Sequence, residues 1–393
     1  MIYDIVIIGA GTSGLSFAQS LAETGLNIAI IEKQAQEKLS NPDYDGREIA
    51  ITHLSHSILN DLNMWNKIDP EAISLIKNAK VLNGESDYAL HFSHKEAGEN
   101  NLGFMTSNHL IRKAAFDAVK ETNKATLLCG VEVTDIETDN LGGKVTLDNG
   151  QEIQTRLIVA ADSRFSKTRE MMDIPTSHLK FDRTAIVCKM DYQGPEQDTA
   201  VECFHYGRTL AVLPLTKKRC SVVITIDSDK ADAVLAMSPE DLAIDIEKRI
   251  NSHLGKMTLT TKLFSYPLIG IHARRFYATR YALIGDTAVG MHPVTAHGFN
   301  LGLRSANSLA NEIKDAISQG LDFSSLTILK NYNRKHRLYT RPLYHGTNAL
   351  VKLYTNETAP AKFIRHGLLR LGNHIKPAKN IITGLLTETD KAA

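Results

Sequence analysis

The chain is poor in the residues that build small extracellular or metal-dependent folds. It has four cysteines in 393 residues, Cys129, Cys188, Cys203 and Cys220, with no CxxC pair and no metal-ligand spacing. That excludes a disulfide scaffold and a zinc module, and the four read as reduced core cysteines with no metal site expected. No apolar run approaches the ~18 residues that a membrane-spanning helix needs. The first strand candidate begins almost at Met1, leaving no room for a signal peptide, so a cytoplasmic protein is expected. Net charge is only +1, so no global field points to nucleic acid as a partner. No internal repeat or low-complexity tract interrupts the chain.

What is present is a core-rich chain, 43% hydrophobic, long enough for two interleaved domains. Asp4 to Ile8 is an apolar strand candidate feeding Gly9-Ala10-Gly11-Thr12-Ser13-Gly14. Leu15, Ala18, Leu21 and Ala22 then share a helical face, Gly25 stops the helix, and a second strand, Ile28 to Ile31, ends in Glu32. A lone GxGxxG is weak, but here strand, helix and acid are all in place. The glycines serve the turn, the close approach to a pyrophosphate and helix packing, and Glu32 suits ribose hydroxyls.

The second informative stretch runs from Tyr281-Ala282-Leu283-Ile284-Gly285-Asp286 through His292-Pro293 to Gly298-Phe299-Asn300. It reads as strand, turn and helix start. Asp286 offers a carboxylate to a polyhydroxylated chain, and Leu301, Ser305, Leu309, Ile313 and Ile317 have helical spacing. The positive end of that helix would face the turn, which suits an anionic reduced isoalloxazine. Between about 176 and 274 the pattern changes to strands: Thr184 to Met190, Ala200 to Tyr206, Thr209 to Leu213 and Cys220 to Ile226, with one helix near Pro239 to Ile250. Residues 76–99 also alternate and are expected to join that sheet. Asp148-Asn149-Gly150 is a hairpin signal.

Together these segments resemble the class A FAD monooxygenases, the family of para-hydroxybenzoate hydroxylase, and within it the ubiquinone-biosynthesis hydroxylases, with the 5-demethoxyubiquinol hydroxylases nearest. Further matches are Asp45-Gly46-Arg47-Glu48-Ile49-Ala50-Ile51, Asn108 to Ala115, Ala200-Val201-Glu202-Cys203-Phe204 running to Leu213-Pro214-Leu215, and Tyr266-Pro267-Leu268. Three positions depart from the family pattern. Ser163 replaces the glycine after Asp162, Val289 stands where a histidine is usual, and Ala296-His297-Gly298 replaces Gly-Gln-Gly. The resemblance implies an α/β fold: a Rossmann-like FAD-binding domain from residues 1–75, 100–175 and 275–340, an inserted substrate-binding β-sheet domain from 76–99 and 176–274, and a basic helical tail over 341–393.

It also implies the chemistry. FAD would be the cofactor, NAD(P)H the reductant and O2 the co-substrate, with one oxygen atom reaching a polyprenylated phenol or quinol ring through a flavin C4a-hydroperoxide. The implied FAD contacts are Gly9, Gly11, Ser13, Gly14, Glu32, Lys33, Arg47, Arg112, Val133, Asp162, Gly285, Asp286, Pro293, Gly298, Phe299 and Asn300. Arg47 in particular is expected at the pyrophosphate. Pro293 and His297 are the catalytic candidates, and His292 and His297 bracket the flavin turn as candidate proton acceptors. Three other readings remain open: a flavin hydroxylase of another small aromatic, a flavin reductase or dehydrogenase of an isoprenoid or quinone, and a non-catalytic flavoprotein scaffold among ubiquinone-biosynthesis assembly proteins. A homo-oligomer is compatible with all four.

The near-neutral total hides an asymmetry. Residues 330–380 carry eleven Lys and Arg against Glu357 alone, a local charge of +10. With apolar residues interleaved, this segment could rest on anionic lipid at the inner face of a membrane or dock on the body with its charges solvated. Lys362, Arg365, Arg370, Lys376 and Lys379 are the cations expected to make the lipid contact.

Overall fold

The structure is a computed structural model that describes residues 2–84, 88–205, 207–356, 358, 360–361, 364–365, 367, 370 and 376–388. Its centre is the strand Ile2–Ile8, whose Ile5, Val6 and Ile7 are fully buried. A strand apolar on both faces demands cover on both sides, as in a parallel sheet layered by helices. That strand lies between Ile28–Glu32 and Glu152–Ala160 in parallel register, with Ala125–Cys129 and Tyr281–Leu283 beyond them. The Asp148-Asn149-Gly150 turn joins Gly143–Leu147 to Glu152–Ala160 as an antiparallel hairpin on this sheet. Helices Thr12–Ser20 and His297–Ser318 pack against each other on it.

The second sheet has nine strands, and its central members are Phe264–Ala273, Thr176–Tyr192, Arg219–Asp227, Arg208–Pro214 and Thr199–His205, antiparallel to one another in that order. Asn78–Asn83 and Ala89–Ser93 extend it at the far edge. One face is sealed by helices Ala231–Leu235 and Pro239–Arg249 over Ile186, Cys188, Val222, Ile224 and Leu210. The opposite face turns toward the parallel-sheet domain, where the Val187 side chain meets Gly46. The sequence did not announce a third, three-stranded sheet, Glu48–Ile51, Gly103–Ser107 and Ser74–Ile76, wedged between the two.

The last long helix, Leu326–Thr355, runs unbroken through Pro342, so the expected 340/341 boundary falls inside one element. A further helix, Lys376–Thr387, folds back onto the body. Of the five cations expected at lipid, Lys362 lies outside the described residues. Arg365 is fully buried, its guanidinium bonded to the Asn356 carbonyl and set 5.8 Å from the centroid of the Tyr354 ring. Lys379 pairs with Glu96 at 2.7 Å and is only 16% exposed. Arg365 and Lys379 are thus not lipid-facing, because each is held inside a contact of its own. Among the described residues of the basic segment, the exposed cations are Lys330, Arg334, Arg341, Lys352 and Arg370, together with Lys335, which pairs with Glu312. Arg334 and Arg341 flank Leu338, itself 72% exposed.

Candidate cofactor and substrate site

Four segments meet at the carboxyl ends of the parallel strands: residues 9–14, 45–52, 161–168 and 285–302. The first turn shows why three glycines are needed. Gly9 sits at φ +108, and a Cβ there would lie 2.5 Å from the Ala161 carbonyl oxygen. A Cβ on Gly14 would lie 2.0 Å from the Gly9 oxygen, so this glycine is required for helix packing. Gly11, the residue preceding helix Thr12–Ser20, has nothing within 4 Å of that position. The open space lies at a helix amino end, where unpaired amides favour a phosphate. At the adjoining strand end, Glu32 accepts from the Ala10 amide at 2.8 Å and the Gln34 amide at 2.9 Å.

The second half closes against the first through small residues. Gly285, at φ +64, donates its amide to Ser305 Oγ at 2.8 Å, and side chains at Gly285 or Gly302 would each come within 2.8 Å of Ser13 Oγ. Ser13 is therefore a packing wedge between the helices. Asp286 binds Arg164 at 2.8 Å, while Asp162 accepts from Ser166, Thr168 and Thr287 at 2.9 to 3.1 Å. Beneath them Arg169, 1% exposed, donates to the carbonyls of Arg164 and Thr287 and ties the two loops together. Pro293 starts a short turn, Ala296 adopts φ +54, and helix His297–Ser318 follows. Gly298 at that helix start again has nothing within 4 Å of an added Cβ. Of the glycines in these four segments, the two left open, Gly11 and Gly298, are those at the two helix ends where phosphates and isoalloxazine were expected, so the residues present fit FAD.

Other expected contacts fall into place differently. Asn300 spends its carboxamide on structure, donating to the Ala50 and Ala296 carbonyls at 2.9 Å and accepting from the Thr52 amide at 3.2 Å. Phe299 packs partly buried against the core, and the Val133 side chain is inside it, so Val133 can meet a nucleotide only through its backbone. Lys33 is exposed beside Glu32. Arg112 reaches Gln34 at 3.4 Å. Arg47 pairs with Asp45 at 2.5 Å and lies 5.6 Å from the Tyr266 ring centroid, while Asn108 holds the same Asp45 carboxylate at 2.8 Å.

The histidines are constrained. His292 Nδ1 accepts from the Val294 amide at 3.1 Å, and its burial, with Arg183 second, lowers its pKa to about 4. It is a neutral turn cap at physiological pH. His297, 2% exposed, contacts the Leu385 carbonyl at 2.9 Å through Nε2. A carbonyl can only accept, so Nε2 carries the proton and the ring is pinned to the carboxyl-terminal helix. Glu388, at the end of that helix, accepts from Thr52 at 2.7 Å and Tyr339 at 2.6 Å and pairs with Arg304 at 3.2 Å. No local pattern announces this latch, whose contacts span 49 to 336 residues of sequence. Equally unforeseen is Lys189, which bridges Glu48 at 2.8 Å and Ser107 at 3.1 Å, with burial raising the Glu48 pKa against the pull of Lys189. Among the described residues, no cluster of His, Cys, Asp or Glu could hold a metal ion. Nor is any helix among them long and apolar enough to cross a membrane.

Comparison with known proteins agrees with this architecture. The FAD binding domain family matches residues 2–341. The chain is 47% identical over 388 residues to ubiquinone hydroxylase UbiM of Neisseria meningitidis, covering 98% of this chain and 84% of the relative. It is 34% identical over 362 residues to ubiquinone hydroxylase UbiL of Rhodospirillum rubrum, covering 92% and 84%. In fold it is similar to the crystal structure of p-nitrophenol 4-monooxygenase PnpA from Pseudomonas putida, with a TM-score of 0.78, 16% identity and 98% of each chain covered. With an α/β nucleotide fold, glycines left open at both helix ends and these relatives, the chain belongs to the FAD-dependent monooxygenases of the ubiquinone-biosynthesis hydroxylase family.

Proposed function

We propose that this enzyme hydroxylates the ring of a polyprenylated phenol or quinol, with C5 of a demethoxyubiquinol as the ring position, NAD(P)H as reductant and O2 as the oxygen source. The observation that carries the reading is the pair of open glycines, Gly11 and Gly298, set at two helix amino ends in a chain 47% identical to a ubiquinone hydroxylase. Bound FAD would supply the redox chemistry and the activation of oxygen.

The chain supplies binding, orientation and exclusion of water. Gly9, Gly11 and the start of helix Thr12–Ser20 would hold the pyrophosphate, with Glu32 at the ribose and Lys33, Arg112 and the Val133 backbone around it. Arg47 would reach the pyrophosphate by leaving Asp45, and Asp286 would hold the polyhydroxylated chain by leaving Arg164. Asp162, Ser13 and Asn300 fix the loops rather than touch the cofactor. Pro293, Gly298 and Phe299 would lie beside the flavin ring, with Pro293 making the turn rigid. His297 serves as a post for the carboxyl-terminal helix rather than as a base.

A polyprenylated ring is too apolar to travel free in water, since each buried methylene contributes ~0.8 kcal/mol. The outward Arg334, Arg341, Lys352 and Arg370 suit contact with anionic lipid at the inner membrane face or with an acidic assembly partner. The test is mass spectrometry of quinone precursors in a deletion strain. Accumulation of the demethoxy precursor, cleared by the wild-type gene, is the expected result. A normal quinone profile, or an arrest at another ring carbon, would refute the assignment.

A further inference from the structure

One acidic side chain stands on the inner face of the nine-stranded sheet without an ion-pair role. Along the strand Thr199–His205, Val201 and Cys203 face the helices Ala231–Leu235 and Pro239–Arg249, so Glu202 faces the other way, toward the FAD-binding domain. Its cross-strand partner is Ala211, whose own partner is Val223, and all three keep partial exposure in the middle of a covered sheet. The face is covered at two places only a few residues apart. Two residues before Glu202, Ala200 packs with Ala50 and Met105 of the three-stranded sheet. Two residues after it, Phe204 packs on Tyr354 of the long helix, with ring centroids 4.0 Å apart and the planes tilted by 38°. Glu202 thus lies between those two contacts, on a stretch of the face where its cross-strand neighbours Ala211 and Val223 are small and partly exposed. The Ala50 end of that stretch adjoins the flavin turn, because the Ala50 carbonyl accepts from Asn300, two residues from Gly298.

We propose that Glu202 is a catalytic residue that takes the proton from the substrate's phenolic hydroxyl as the ring carbon is oxygenated. This rests on the hydroxylase reading above. The phenolic O–H bond breaks and its electron pair pushes into the ring while the new C–O bond forms at the neighbouring carbon. The proton passes to a carboxylate oxygen of Glu202, and loss of the hydrogen on the oxygenated carbon restores the aromatic ring. O2 supplies the inserted atom, a reduced nicotinamide supplies two electrons, and the second oxygen leaves as water.

The surroundings suit the task. Burial lifts the Glu202 carboxyl to about 8, and the Thr209 hydroxyl on the adjoining strand opposes that lift. No ionised side chain contributes to the shift. The titratable groups around it stay neutral: Tyr354 from the long helix and Cys203 on its own strand are both pushed up to about 12 by burial. A base titrating near the working pH is matched to an unperturbed phenol, whose pKa is about 10.

The test uses the full-length, FAD-loaded enzyme, a short-chain phenol and three variants. Wild-type kcat should rise with pH and level off near pH 8. Glu202→Gln should lower kcat about 100-fold and abolish that rise, while leaving KM, FAD affinity and the rate of flavin reduction near wild type. Glu202→Asp should regain part of the rate, and Thr209→Val should move the rise to higher pH. A readout without turnover is the 13C shift of the phenol's C–O carbon when bound to oxidised enzyme. It should follow the same ionisation in wild type and lose it in Glu202→Gln. A Glu202→Gln enzyme that keeps the pH rise, or a Thr209→Val enzyme whose rise does not move, overturns the proposal. Failure of wild type to oxygenate any phenol would instead refute the function itself.

Discussion

Gly11 and Gly14 lie three residues apart in one turn, yet the structure assigns them opposite sensitivities. A Cβ on Gly14 meets the Gly9 oxygen at 2.0 Å, an approach that only a backbone shift can relieve. Overpacking of this kind costs about 1–3 kcal/mol, offset by about 1 kcal/mol of helix propensity gained by alanine. Gly14→Ala should therefore lower the melting temperature of flavin-free protein by a few degrees. Gly11 is extended at φ −70 and ψ 173, open on its Cβ side and placed as a helix cap. Serine is a favoured cap, so Gly11→Ser should leave the flavin-free protein as stable as wild type or more so. The added atoms occupy the space meant for pyrophosphate, and an affinity loss of about 100-fold corresponds to about 2.7 kcal/mol. At FAD set to 100 times the wild-type Kd, ligand stabilisation is about 2.7 kcal/mol for wild type and should fall to about 0.4 kcal/mol for Gly11→Ser. Melting curves with and without FAD measure both quantities. A Gly11→Ser protein with wild-type FAD affinity would show that the nucleotide lies elsewhere.

Asp286→Ala should lose most of its FAD, and a yellow variant of unchanged affinity would remove Asp286 from the site. Glu32→Ala should weaken FAD by about 1–3 kcal/mol, with near-normal turnover at saturating FAD, as read by fluorescence titration and steady-state rates. Glu388→Ala should release the carboxyl-terminal helix, speeding proteolysis near residues 376–388 and lowering the melting temperature; unchanged protection would contradict the latch. Glu202 makes stability depend on pH: its folded pKa, about 8, lies above the ordinary 4.5, so its contribution is complete below 4.5 and is lost as pH rises toward 8. Wild type should lose stability relative to Glu202→Gln over that window, by at most ~1.4 kcal/mol per pH unit in denaturant titrations, whereas parallel curves would show that Glu202 titrates normally.

Much of the nucleotide fold was legible because its signals are local. Glycines at 9, 11 and 14, the acid ending Ile28–Glu32, the strand before Gly285 and the hairpin at 148–150 each sit within one turn of the element they govern. Side-chain partners were not legible. Asp286 finds Arg164, Asn300 finds Thr52 and Ala50, and His297 finds Leu385, all across distances in sequence that no periodicity reports. The basic tail misled for a related reason. Composition counts charges without direction, and folding turned Arg365 inward and paired Lys379 with Glu96, while the outer side of Leu326–Thr355 kept Arg334, Arg341 and Lys352 exposed. Glu202 stood within a family-like segment, but its isolation on the inner sheet face appears only once strand register is known.

The most direct test of the account is oxygen-isotope incorporation by purified, FAD-loaded enzyme given reduced nicotinamide, a short-chain demethoxyquinol and 18O2. The account predicts one 18O atom in the product, on a ring carbon, in step with nicotinamide oxidation. Nicotinamide oxidation that yields only hydrogen peroxide, with no labelled product from any phenol or quinol substrate, would contradict it.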